Sequence, residues 1–182
     1  MDQNRSEKSL PALTLVLGGG ASGKSKYAES CIQATDQKRI YIATAQAFDE
    51  EMKAKIAAHK IQRGPNWTTI ECPIDLCGAI SGCEPDDVVL VDCLTLWLTN
   101  VLLAEKDLDA EMDALVASLS SASATIVAVS NEVGQGIVPD NALSRQFRAA
   151  QGRLNQKVAE QADTVVGVMA GLPFALKGSL PL

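Results

Sequence analysis

Short apolar runs recur along the chain at regular intervals, and polar residues close each of them. Leu13-Thr14-Leu15-Val16-Leu17 and Val88-Val89-Leu90-Val91 are the clearest. Runs of this length, bounded by turn residues, suit buried strands. The pattern predicts strands near 13–18, 39–45, 68–72, 87–93, 124–131 and 163–170. Between most of them lie helical patterns. The longest covers about 141–161, with Leu143, Phe147, Ala150, Leu154 and Val158 at helical spacing as its apolar stripe. Arg145, Arg148 and Gly152 share another face of that helix, which reads either as a solvated face or as a substrate contact. Strand alternating with helix, without repeats or low-complexity tracts, predicts an α/β fold with a mainly parallel sheet covered on both faces. Ligands of such sheets bind beyond the carboxyl ends of the strands. The polar closures fall there: a glycine loop after the first strand, Ala43-Thr44-Ala45 after the second, Asp92 after the fourth and Ser130-Asn131-Glu132 after the fifth.

Composition narrows the class. The 182 residues are 47% hydrophobic and 21% charged, which describes a globular chain of one domain with a full core. The expected organisation is a polar, frayed leader over 1–11 and a single nucleotide-binding domain over 12–182. A formal charge of -6 argues against an extended nucleic-acid surface. Val88–Ala104 is the most apolar stretch, but Asp92 and Asn100 interrupt it, so it reads as a strand entering a helix and not as a membrane span. Cysteines 31, 72, 77, 83 and 93 form no C-x-x-C pair and have one histidine for company. That pattern argues against zinc and for reduced thiols, hence a cytoplasmic location.

The candidate chemistry centres on Gly18-Gly19-Gly20-Ala21-Ser22-Gly23-Lys24-Ser25, which fits G-x-x-x-x-G-K-[ST] at every fixed position. Glycines let backbone N–H groups curl around a phosphate, and the following helix adds its positive end. Lys24 can reach β- and γ-phosphates, and the Ser25 hydroxyl can ligate Mg²⁺. A plain turn would need neither. Asp92, at the end of a buried strand, reads as a second Mg²⁺ contact or as a cap for the helix starting near Leu94; the glycine loop favours the metal. Asp49 begins a helical pattern with Phe48, Met52 and Ile56 as its buried stripe. His59, the single histidine, falls at the margin of that stripe, where a cap, a filler or a functional group would all fit. Lys60, Arg63, Trp67 and Glu71 follow as nucleotide contacts or as surface.

Taken together, these segments resemble a family. The glycine loop, Ile42–Ala45, Asp49-Glu50-Glu51-Met52, His59-Lys60, Arg63 and Trp67–Glu71 stand in its order. So do Val91–Thr95, Asn131-Glu132-Val133-Gly134, Gly136–Pro139, Gly152–Gln156 and Ala170–Pro173. From about Leu13 to Lys177 the chain is similar to the bifunctional adenosylcobinamide kinase/adenosylcobinamide-phosphate guanylyltransferases of cobalamin biosynthesis. The resemblance implies a P-loop NTPase-type three-layer fold, a homotrimer, and two reactions. In one, ATP or GTP phosphorylates adenosylcobinamide. In the other, His59 attacks the α-phosphate of GTP, and adenosylcobinamide phosphate then takes the guanylyl group, giving adenosylcobinamide-GDP. Carried over by position, nucleotide contacts fall on Gly18, Gly19, Gly20, Ala21, Ser22, Gly23, Lys24 and Ser25; on Ala43, Thr44 and Ala45; on Lys60, Ile61, Gln62 and Arg63; and on Glu71 and Asp92. Ser25 and Asp92 would hold Mg²⁺. Relatives often carry two adjacent histidines where this chain has Ala58-His59, and usually an arginine where it has Ala21. Two other classes fit the loop alone: a different small-molecule kinase without a covalent adduct, and a nucleotide-binding regulator without turnover.

Overall fold

The computed structural model describes residues 10–46, 63–64 and 66–181. Seven strands make one sheet: β1 (Leu13–Gly18), β2 (Lys38–Ala43), β3 (Trp67–Glu71), β4 (Asp87–Asp92), β5 (Thr125–Asn131), β6 (Thr164–Met169) and β7 (Leu172–Lys177). Their order is β3-β2-β4-β5-β1-β6-β7. All neighbours run parallel except β6 and β7. The helices among the described residues are α1 (Lys24–Gln33), α2 (Leu76–Ser81), α3 (Leu94–Leu103), α4 (Leu108–Ser121) and α5 (Ala142–Gln161).

Alternation along the strands divides the core in two. Leu13, Leu15, Val89, Val91, Ile126 and Ala128 face α2, α3, α4 and α5. Val16, Val88, Leu90, Val127 and Val129 face Ala28 and Ile32 of α1. Burial on both faces explains why these strands read as continuous apolar runs and not as alternating ones. Side-chain oxygens tie the connections. Asp107 caps α4 by accepting from Asp109 N and Ala110 N at 3.1 Å each. Asn141 caps α5 by accepting from Ser144 N at 2.8 Å.

Six strands stand within two residues of their expected places. β2 stops at Ala43, so Thr44 and Ala45 belong to the turn beyond it. The seventh strand is not among those expected from the pattern. It follows a two-residue turn, Ala170-Gly171, with both φ positive at 52° and 77°. That is the primed hairpin geometry, usually signalled by Asn-Gly or Asp-Gly. β7 also lacks alternation: Leu172, Phe174 and Leu176 are all exposed, and Pro173 sits within it. The stripe of α5 needs one correction. Ala150, Leu154 and Val158 are fully buried and Phe147 packs against them, but Leu143 is 53% exposed, because the first turn of α5 projects past the core. Residues 1–9 lie outside the described chain, and Leu10 packs on the α1-side cluster.

Candidate active site

The parallel register brings the polar strand ends to one rim. Gly18 pairs with Asn131, and Ala43 pairs with both Asp92 and Glu71. On this rim the glycine loop makes its turn. A Cβ at Gly18 would stand 2.4 Å from Ser22 Oγ and 2.6 Å from the Val168 carbonyl oxygen, so only glycine lets the loop fold that tightly. Gly23 is the N-cap of α1 with φ 95°, a left-handed conformation suited to glycine. It brings no side chain to cap the helix, and the first turn carries no acidic residue. The positive end of α1 is therefore left for an external anion. Lys24 Nζ donates to the Gly19 carbonyl at 3.1 Å, folded back over the loop it would serve. The hairpin holds the loop from outside: Gly171 N donates to Ser22 O at 2.8 Å. Ala21 lies exposed in the left-handed region at φ 56°.

Asp92 is not a helix cap. The N-cap of α3 is Cys93, in extended conformation and without a side-chain cap bond. Instead, Asp92 Oδ2 accepts from the Tyr41 hydroxyl at 3.0 Å. The Arg63 guanidinium lies over the Tyr41 ring, 3.2 Å from its centroid, and Trp67 meets the same ring edge-on at 6.2 Å. Burial, with the Asp92 carboxylate adding to it, pushes the Tyr41 phenol well above its ordinary range, while Arg63 partly opposes this. Arg63, expected as a nucleotide contact, is thus a buried cation stacked on the tyrosine that steadies Asp92. Its Nη1 has no hydrogen-bond partner among the described residues.

Mg²⁺ takes few protein oxygens and keeps waters and phosphate oxygens around it. Ser25 and Asp92 are hard oxygen donors of that kind, and Asp92 keeps one carboxylate oxygen beyond the tyrosine bond. The residues fit the ion. Among the described residues no three His, Cys, Asp or Glu side chains cluster as a metal cage. The thiols are buried or half-buried, and burial raises each of them, Cys93 to about 11. Such thiols are poor ligands and poor nucleophiles.

Thr44 has a structural task. It is fully buried; its hydroxyl donates to Cys93 O at 2.7 Å and accepts from Cys93 N at 2.8 Å. Asn100 Nδ2 holds the Thr44 carbonyl at 2.8 Å. Ala43 and Ala45 are half-buried beside it, and Glu71 is exposed at the end of β3. His59, Lys60, Ile61 and Gln62, with Phe48, Met52 and Ile56, lie outside the described residues.

A buried polar network fixes the end of β5. Ser130 Oγ donates to Asn155 Oδ1 at 2.6 Å, and Gln151 Nε2 donates to both. Asn155 Nδ2 holds the Asn131 carbonyl at 3.0 Å, and Asn131 N donates to Thr95 Oγ1 at 2.8 Å. Glu132 N then donates to Gly18 O at 3.1 Å, tying the next residue to the start of the glycine loop. Two of the three arginines of α5 are spent on the segment between Glu132 and that helix: Arg145 donates to Pro139 O and Asp140 O, and Arg148 to Gly134 O. Between the glycine loop, Glu132, Gln135, the end of β6 and Phe174 lies a cavity of about 550 Å³. Tyr41 and this cavity are absent from the sequence-based expectations. Tyr41 sits mid-strand like any core aromatic, and the cavity depends on the unforeseen β7.

Residues 14–176 match the family described as cobinamide kinase / cobinamide phosphate guanyltransferase. The bifunctional adenosylcobalamin biosynthesis protein CobP of Pseudomonas aeruginosa is 45% identical over 167 residues, 90% of this chain and 96% of that one. The bifunctional adenosylcobalamin biosynthesis protein CobU of Salmonella typhimurium is 40% identical over 181 residues, 91% and 99% of the two chains. Among solved structures, a Pyrococcus horikoshii OT3 protein superposes with a TM-score of 0.51 at 11% identity, covering 92% of this chain and 86% of that one. An ATPase of a bacterial type III secretion system gives 0.50 at 12% identity, covering 90% and 56%. The structural likenesses establish the α/β P-loop fold and nothing more. No helix among the described residues is long and apolar enough to cross a membrane.

Proposed function

This chain belongs to the cobinamide kinase / cobinamide phosphate guanyltransferase family, and we propose that it performs two reactions at one glycine loop. The first moves the γ-phosphate of ATP or GTP to the side-chain hydroxyl of adenosylcobinamide. The second forms a guanylyl-histidine on His59 from GTP, releases pyrophosphate, and passes the guanylyl group to adenosylcobinamide phosphate.

The observation that carries this reading is the uncapped, glycine-opened N-terminus of α1 with Lys24 and Ser25 in its first turn. The loop amides and Lys24 bind the phosphates and offset the charge that develops on them. Ser25 and Asp92 would hold Mg²⁺, which when bound would supply positive charge against that of the phosphates. Tyr41 orients the Asp92 carboxylate, and Arg63 steadies the tyrosine. A neutral imidazole is nucleophilic, and its phosphoramidate can hand the group on. Protonation at a helix C-terminus would suppress that. Partial burial, or the cations Lys60 and Arg63, would keep His59 neutral. Ala43, Ala45, Lys60, Ile61, Gln62 and Glu71 fall to the guanylyl donor on this reading, and a trimer is its expected assembly.

The test is incubation with α-labelled GTP and Mg²⁺. The protein should carry acid-labile, alkali-stable label, and His59→Ala should lose it along with adenosylcobinamide-GDP formation while retaining phosphorylation of adenosylcobinamide. Acid-stable label, or undiminished labelling of His59→Ala, refutes the histidine adduct.

A further inference from the structure

Of the contacts proposed for the guanylyl donor, the described ones, Ala43, Ala45 and Glu71, lie at the ends of β2 and β3, on the β4 side of the glycine loop. The 550 Å³ cavity lies on the other side, toward β5, β6 and β7. Its walls are loop backbone, apolar side chains, the Gln135 amide and one carboxylate. Among the described residues, Glu132 is the only titratable side chain lining it. We propose that this cavity receives the alcohol arm of the phosphoryl acceptor, and that Glu132 is the catalytic base that takes the proton of its hydroxyl. The inference rests on the kinase half of the function proposed above.

Position comes first. Asn131 pairs with Gly18, and Glu132 N is bonded to Gly18 O, so the carboxylate is anchored where the phosphate loop begins. Orientation is set as well. Glu132 Oε1 accepts from Gly134 N at 2.5 Å, which fixes one oxygen and leaves the other for a proton donor. A Cβ at Gly134 would stand 2.7 Å from that same Oε1, so the turn keeps the carboxylate in place only with glycine there. Arg148 holds the Gly134 carbonyl, and Arg145 holds those of Pro139 and Asp140, so α5 braces the segment that carries the base. Size decides the occupant. The cavity has room for a short alcohol arm but not for the whole corrinoid, whose apolar flank would rest on the exposed rim of Met169, Phe174 and Leu176.

The step balances. The acceptor O–H bond breaks and its proton goes to the free Glu132 oxygen. The acceptor oxygen forms a bond to the γ-phosphorus. The bond from that phosphorus to the β,γ-bridging oxygen breaks, and its electron pair leaves with the nucleoside diphosphate. Lys24 and the loop amides offset the charge on the transferring group. Protonated Glu132 returns its proton to solvent after release.

Glu132→Gln tests the base. Glutamine has the same shape and still accepts from Gly134 N. Adenosylcobinamide phosphorylation should fall in kcat by about 10²–10⁴, the range for a lost general base. The nucleotide KM should stay within about threefold, and labelling from α-labelled GTP should be unchanged, because imidazole attack on GTP involves no acceptor hydroxyl. A kcat within about threefold of the unaltered protein overturns the proposal, and so does parallel loss of phosphorylation and label, which marks a structural role. Phe174→Ala tests the cavity. It should raise KM for adenosylcobinamide and leave that for the nucleotide; a rise in the nucleotide KM instead assigns the cavity to a nucleobase and overturns the placement. Failure of the unaltered protein to phosphorylate adenosylcobinamide removes the kinase reading, and this inference with it.

Discussion

Thr44→Val isolates the bond pair that joins the second and fourth strand ends. Valine matches threonine in shape, so the change removes the hydroxyl and little else. Two bonds go, to Cys93 O at 2.7 Å and from Cys93 N at 2.8 Å. The carbonyl keeps a second donor, Trp97 N at 3.1 Å, so only the Cys93 N–H is orphaned. An unsatisfied buried donor costs about 1–3 kcal/mol, and the lost carbonyl bond about 1 more. Burying a methyl in place of the hydroxyl returns about 0.8 kcal/mol. The net loss is about 2 kcal/mol, which at a urea m-value of about 2 kcal/mol/M lowers the midpoint by about 1 M. Urea unfolding measures this, and amide exchange locates it: protection at Cys93 should fall in Thr44→Val and persist in Thr44→Ser. An unchanged midpoint with full protection at Cys93 would refute the reasoning.

Lys24→Ala should cost both activities about 10²-fold or more, since each needs its phosphates neutralised at the loop; near-normal phosphorylation by that variant would remove the loop from the mechanism. Asp92→Asn should raise the Mg²⁺ concentration needed for half-maximal turnover at unchanged melting temperature, and a wild-type Mg²⁺ titration would refute the metal role. Stability should fall as pH rises above about 9, where unfolded thiols and then phenols ionise while burial holds Cys31, Cys83, Cys93, Tyr27 and Tyr41 neutral. Their folded values are raised, so the unfolded state loses protons first and gains with alkali. Urea midpoints from pH 7.5 to 10.5 under reducing conditions check the sign, and a flat or rising profile contradicts it.

The parallel sheet was legible because its strands are buried on both faces. Val88 to Val91 can hardly be anything but central strand, and its terminal acid marks the ligand edge. The glycine loop was legible because its spacing is chemical, not statistical. β7 was not, because an edge strand with Leu172, Phe174 and Leu176 all exposed carries no periodic signal. Its turn hides too, as Ala170 takes the positive φ more often given to asparagine. The fate of Arg63 was out of reach for another reason. Charge suggests a phosphate contact, but whether a guanidinium stacks on a ring is decided by tertiary placement. The same holds for Arg145 and Arg148, whose partners are carbonyls of an irregular segment.

Hydrogen bonds from the start of α3 reach both neighbouring strand ends. Cys93 is held by Thr44 beyond β2, and Thr95 holds Asn131 at the end of β5. Between these two bonds the ends of β2, β4 and β5 form one stitched rim, and Glu132 extends it to Gly18. Buried, mutually satisfied bonds of this kind resist piecemeal movement, because breaking one orphans its partner. On the proposed reading, then, the two reactions do not require the rim to change shape between them. The glycine loop has a wall on each side. Tyr41, Asp92 and Arg63 stand on one, and Glu132 with the β6–β7 hairpin on the other. On that reading one reaction brings an imidazole to an α-phosphate and the other an alcohol to a γ-phosphate, and only the second uses the Glu132 wall. A substitution confined to the Glu132 wall should therefore lower phosphorylation alone, and one in the loop or at Asp92 should lower both.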